Sequence, residues 1–128
     1  MGVLDDARDH VAKAEEFLDA ARASFDASRF NAATSDAVVA GINAKDAICL
    51  QVTGRTVRTD DHRQAVAELK ASGRFGAELS VTLDRLLRMK TRSQYQTTSV
   101  ARSDADNAVR WATKLVVAAR RSLFPIGK

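Results

Sequence analysis

Residues 29–50 read RFNAATSDAVVAGINAKDAICL, and the reading of this stretch decides the fold. Apolar and small residues recur at steps near 3.6 rather than alternating, which predicts a helix over about 28–52. Ala32, Ala33, Ala37, Ala40, Gly41, Ala44 and Ala47 are small enough to let neighbouring backbones come close, so this helix belongs at the centre of a bundle. Asn43, Lys45 and Asp46 interrupt it, and polar groups on a central helix must find partners or reach water. They are expected to face solvent or to bond across a subunit interface rather than to act in catalysis. Cys49 is the only cysteine; it reads as a small buried apolar residue that can form neither an internal disulfide nor a Cys-rich zinc site.

Upstream, a helix over about 3–26 carries Leu4, Ala7, Val11, Ala14, Leu18, Ala21 and Phe25 as one apolar stripe. Asp5 and Asp6 sit in its first turn, where the helix dipole favours them. The short break DASRFN offers Asp26 or Ser28 as the next cap and turns the chain back antiparallel. Downstream, Gly54 ends the central helix and RTVRTDDH (55–62) begins as a charged loop. Thr59 or Asp60 is expected to cap a short third helix, with Ala65, Val66 and Leu69 inward and Gly73 closing it. A fourth helix over about 76–90 buries Leu79, Leu83, Leu86 and Leu87, and sets Arg85, Arg88 and Arg92 on another side. TRSQYQTTSVAR reads as a loop. Ser103 is the expected cap of a last helix over about 104–123, with Ala108, Trp111, Ala112, Leu115, Val116 and Ala119 inward. The expectation is an all-α fold, an antiparallel bundle of four long helices plus one short helix, forming a single domain over 1–128.

Composition agrees. One Pro, abundant Ala and 45% hydrophobic residues in 128 suit one helical core. The longest apolar run near the end, LVVAA, is five residues, far from the roughly 18 needed to span a membrane. The acidic start MGVLDDARDH is unlike a signal peptide, and a cytoplasmic location is expected. Net charge is +4, unevenly spread: the first 20 residues hold six acids against two bases, while Arg85 to Arg102 holds five bases and no acid. Such a basic face attracts phosphate-rich partners, although the same total is common in soluble proteins of no such function.

Most enzyme signatures are missing: no glycine-rich phosphate loop, no Cys-x-x-Cys and no G-x-S-x-G elbow occurs. No metal and no cofactor is called for. Of the two histidines, His10 on the acidic first helix reads as a surface residue. His62 is more suggestive, because Arg55, Arg58 and Arg63 surround it. Metal-free RNA cleavage needs a base for the 2′-hydroxyl proton and a cation for the charge developing on phosphate, and His with Arg supplies both. Asp60, Asp61 and His62 equally suit the plain start of a helix.

The order and spacing of SRFNAATSDAV, AGINAKDAICL, a loop ending DH, LLRMKTRSQYQ and SDADNAVRWATKLV resemble the HEPN domain (higher eukaryotes and prokaryotes nucleotide-binding) over about residues 8–122. The resemblance implies a bundle of four or five helices, usually dimeric. In many bacteria it is encoded beside a small nucleotidyltransferase as a toxin and antitoxin pair. Active members of the family are metal-independent ribonucleases with four to six residues between an Arg and a His, and here only Arg55 and His62, with six between them, meet that spacing, Arg58 being too close. The family's active motif has a small polar residue directly after its Arg and lies within or beside a helix, whereas Thr56 and Val57 follow Arg55 in an expected loop. A family Arg-Tyr pair beside the cleft corresponds to Arg92 and Tyr95, with two residues inserted between them.

Three readings follow. The first is a nucleotide- or RNA-binding protein, dimerising through its small-residue helices and partnering a nucleotidyltransferase. Arg55 and His62 would line the site, with Arg58, Arg88, Lys90, Arg92 and Tyr95 as the phosphate and base surface. The second is an active ribonuclease toxin in which Arg55 and His62 are catalytic. The third is a non-catalytic helical interaction module.

Overall fold

The structure, a computed structural model, describes residues 2–94 and 99–124. Five helices follow one another: α1 (Val3–Asp26), α2 (Phe30–Thr53), α3 (His62–Lys70), α4 (Arg74–Gln94) and α5 (Arg102–Leu123). The four long helices form the expected antiparallel all-α bundle, and α3 lies against α4.

Helix α2 packs against all four others, because its small side chains hold them at no distance. Ala33, Ala37, Ala40, Ala44 and Ala47 are fully buried. A Cβ at Gly41 would strike a methyl of Leu86 and come within 3.3 Å of Leu115, so α4 and α5 both close on the backbone there. The small-residue face is therefore consumed inside the protomer. This corrects the expectation that it serves dimerisation: the face that lets helices approach is already filled by α1, α4 and α5.

Helix α1 buries Ala7, Val11, Ala14, Leu18 and Ala21, the stripe that its sequence spacing predicts. Neither Asp26 nor Ser28 caps α2. Ser28 instead takes a left-handed φ of 60°, its N–H bonding the Phe25 carbonyl and the Arg29 N–H the Ser24 carbonyl, so the turn is spent on closing α1. That end of the bundle is sealed by the Phe25 and Phe30 rings, 5.6 Å apart, under the Arg102 guanidinium, and by Asn31 Oδ1 accepting from Val100 N–H at 2.8 Å.

The third helix starts later than expected. Asp61, not Thr59 or Asp60, is its cap, accepting from the N–H groups of Arg63 at 2.9 Å and Gln64 at 3.3 Å, while Thr59 Oγ1 accepts from Asp61 N–H. Gly73 is left-handed (φ 96°) as its position suggested, but it serves α4, its carbonyl accepting from Ala77 N–H. Helix α4 is longer at both ends than the apolar period indicates, running from Arg74 to Gln94, and Arg74, Phe75 and residues 91–93 continue it without adding to its buried stripe. A Cβ at Gly76 would fall on the Leu69 carbonyl oxygen, which shows how closely α3 crosses α4. Ser103 lies inside α5 rather than capping it; the cap is Ala101, with no side-chain bond. Trp111 is half-buried between the main core and the smaller cluster of Met89, Val100 and Ala105.

Candidate nucleotide-binding site

The segment 54–61 carries the site, and a buried clamp holds it. Lys45 is 1% exposed on α2, yet its ammonium donates to Asp46 Oδ1 at 3.0 Å, Thr56 Oγ1 at 3.0 Å and the Val57 carbonyl at 3.1 Å, and it pairs with Glu68 of α3. Glu68 in turn accepts from Val57 N–H at 2.8 Å. Burial opposes the charge on Lys45, but the carboxylates of Glu68 and Asp46 outweigh it and raise the pKa of the amine. One cation thus staples α2, the loop and α3 together.

Asn43 makes a second tether. Its Nδ2 donates to the Val39 carbonyl at 3.0 Å, which leaves Oδ1 to accept from His10 Nδ1–H at 2.9 Å. His10 Nε2 is then an acceptor and receives an N–H of Arg58 at 3.5 Å. Asn43, Lys45 and Asp46 therefore face neither solvent nor a subunit interface, and His10 is not a free surface residue: each anchors the loop or its neighbour. The reason is that the loop folds back along α2 and supplies partners that linear spacing does not reveal.

His62 opens α3. Its Nε2–H donates to Asp84 Oδ1 at 2.7 Å, and Arg88 donates to the other carboxylate oxygen at 3.0 and 3.2 Å. The His62 bond, followed by Arg88, holds the Asp84 carboxyl below its ordinary range. Asp84 thereby orients His62, and Nδ1 has no hydrogen-bond partner among the described residues. His62 forms part of the wall between two cavities. One, of about 580 Å³, also has Ile42, Thr59, Asp60, Leu87, Lys90 and Thr91 in its lining. The other, of about 540 Å³, runs between α3 and α4 past Lys70, Asp84 and Arg88.

The remaining sequence candidates are dispersed. Arg55 follows Gly54 (φ 78°) in the loop; it is exposed and lines neither cavity that His62 lines. Arg58 is bound to His10 and lines a smaller cavity of about 290 Å³ with Lys45 and Asp46. Arg92 pairs with Asp104 at 3.0 Å and ties α4 to α5. Tyr95 lies outside the described residues. The structure thus brings together His62, Lys90 and, through Asp84, Arg88. Sequence reasoning missed His10 and Asp84. Asp84 had a readable signal, since it lies four residues before Arg88, the spacing of helical ion pairs; His10 had none.

Chemically, the larger cavity offers a cation at Lys90, an oriented imidazole, apolar walls at Ile42 and Leu87, and the Asp60 carboxylate as an acceptor. Lysine and histidine suit phosphate, apolar walls suit a base, and a carboxylate suits ribose hydroxyls or an exocyclic amine. Among the described residues no group of three or more His, Cys, Asp or Glu could hold a metal ion, and no helix is long and apolar enough to cross a membrane.

No curated protein matches the chain. A scan against protein-family models matches residues 7–122 to the HEPN domain, nearly the whole chain and every helix described above. The chain belongs to the HEPN domain family, and its function is of the general nucleotide- or RNA-related kind that this family carries.

Proposed function

We propose that the protein binds a nucleotide or an RNA segment at the His62 cavity, and that it works as a dimeric partner of a nucleotidyltransferase in a toxin-antitoxin-like pair. The observation that carries the reading is the Asp84-held His62 in a polar cavity with Lys90 and Asp60 on its walls. Lys90 and His62 take the phosphate, Ile42 and Leu87 the base. Arg88, already committed to Asp84, positions the imidazole and adds positive potential. Arg58, on the smaller adjoining cavity, extends the cationic rim, and Arg92 adds to the distal surface. HEPN domains commonly dimerise, which agrees with a paired role.

The test is fluorescence anisotropy of a labelled single-stranded oligoribonucleotide, and of labelled ATP, across a salt series. Binding is expected to weaken steeply as salt rises, because phosphate contacts release counterions. His62→Ala and Lys90→Ala are each expected to weaken binding about tenfold, the loss of roughly 1.4 kcal/mol. Salt-independent binding, or none, sinks the reading and leaves a non-catalytic interaction module.

One observation favours a second reading, an active metal-independent ribonuclease: Asp84 occupies Nε2, leaving Nδ1 as the ring nitrogen able to take a proton. His62 Nδ1 would accept the 2′-hydroxyl proton as that oxygen attacks phosphorus, the 5′-oxygen would leave with a proton from water, and Lys90 or an arginine would stabilise the phosphate. Cleavage of cellular RNA in chelator, slowed on the order of 10²-fold or more by His62→Ala, is the expected outcome. Growth arrest on expression without the partner would accompany it.

A further inference from the structure

A groove of about 610 Å³ lies between the ends of α2, α4 and α5, and it shares no lining residue with either cavity that His62 walls. Ile48, Val52, Leu79 and Ala118 give it an apolar floor, and Phe75 stands beside them 74% exposed. Arg74, Lys114 and Arg121 line it against one acid, Glu78. Elsewhere on the surface cations are spent on ion pairs: Arg88 on Asp84, Arg92 on Asp104, Arg110 on Asp106 and Arg120 on Glu15. None of the three groove cations makes an ion pair among the described residues.

The order of the helices gives this groove a charged end and an apolar length. A Cβ on Gly73 would lie 3.9 Å from Val52, and Ser122 Oγ donates to Gln51 Oε1 at 2.8 Å, so the end of α2, the start of α4 and the end of α5 come together. Arg74 and Arg121 fall at that end. The Gln51 amide is there too, and with its oxygen taken by Ser122 its Nε2 is left to donate. Lys114 lies two turns back along α5, about 10 Å away, and Glu78 one turn along α4. The two inner charges are opposite and cancel, whereas the two arginines leave the outer end positive.

We propose that this groove binds a small amphipathic anion, a medium-chain aliphatic molecule with a carboxylate or phosphate head. The head sits between Arg74 and Arg121, whose guanidinium forks match the paired oxygens of either group. The chain lies inward over Val52, Ile48, Leu79 and Ala118, covering apolar surface that the fold leaves open. The volume falls within the roughly 300–1,000 Å³ of small-molecule sites, which are mostly apolar with a few polar groups that fix orientation. A nucleotide base fits poorly here, because the floor is aliphatic and would leave the hydrogen-bonding edges of the base unpaired. The inference is therefore independent of the nucleotide reading of the His62 cavity.

The test is an NMR titration of the isotope-labelled native chain with octanoate and with octyl phosphate, beside octanol, octyltrimethylammonium and acetate. Saturable binding of one or both octyl anions is expected, with amide shifts confined to the groove, at Val52, Gly73, Phe75 and Ala118; the tighter of the two identifies the head group. Octanol and octyltrimethylammonium are each expected to bind about tenfold more weakly or less, and acetate not at all. Arg121→Glu removes a cation from the charged end, and Val52→Asp sets an acid on the apolar floor. Both positions are exposed, so helix content and thermal unfolding stay as in the native chain. Each variant is expected to weaken the octyl anion about tenfold. The proposal is overturned if neither octyl anion binds, if octanol or the octyl cation binds as tightly, if the shifts fall outside the groove, or if neither variant weakens binding. Groove amides that shift with protein concentration alone would make another protein molecule the occupant and overturn it as well.

Discussion

Thr34 shows how much a single residue can depend on what surrounds it. It is fully buried on α2, and its hydroxyl has no hydrogen-bond partner among the described residues. A buried unpaired hydroxyl costs more than the isosteric methyl that would replace it. Thr34→Val is therefore expected to stabilise the protein by about 1 kcal/mol, raising the calorimetric Tm by about 3–6 °C for a domain of this size. A lower Tm would mean that Thr34 has a partner after all. Residue type alone also misplaces the histidines. The sequence sets His62 apart from His10 only by its neighbouring arginines, and only the partners Asn43 and Asp84 distinguish a tether from an oriented imidazole open to a cavity. Both partners lie more than twenty residues away along the chain. Local spacing carries no information at that range.

At the scale of elements, the loop between α2 and α3 owes its path to Lys45. Removing that one cation leaves Asp46 and Glu68 as poorly solvated acids with no counter-charge, which typically costs about 3–5 kcal/mol. Lys45→Met is expected to lower stability to urea by that order at neutral pH. The sign of its pH dependence follows from the raised pKa of the Lys45 amine, whose contribution is complete below its ordinary value of 10.5 and is lost as pH rises through the folded value. The gap between native and variant should hold steady from about pH 7 to 9 and narrow above 10.5; a gap that stays constant there would show that Lys45 contributes packing rather than charge. The helices themselves were legible, since Ala7, Val11, Ala14, Leu18 and Ala21 on α1 and Leu79, Leu83, Leu86 and Leu87 on α4 fall at the spacings of a buried stripe. Their ends were less so. Helix α4 continues to Gln94 past the exposed Thr91 and Arg92, and the Ser28 turn closes α1 by backbone bonds that no cap residue announces.

For the whole molecule, Cys49 is a built-in reporter. It is fully buried at the bundle centre, and burial pushes its thiol from 9.0 up to about 11. Alkylation by iodoacetamide near pH 8 then requires the bundle to open. It should run about 10³-fold or more slower than in the denatured chain, the ratio set by ordinary domain stability. Raising the pH from 9.0 towards about 11 should speed it further, because the unfolded thiol ionises first and stability falls with each proton lost. Fast labelling at pH 8 would reveal local opening of α2. The sequence by itself determined the helical class, the apolar stripes, the central position of α2 and the family, since these rest on residue size and a period of 3.6 within short windows. The tertiary structure alone decided that the small face of α2 is spent inside the protomer, that Lys45 binds the loop, that Asp84 holds His62, and that Arg55 lines neither cavity beside it. Those outcomes depend on which helix faces which, and the free energy that selects the arrangement is shared among side chains far apart in the chain.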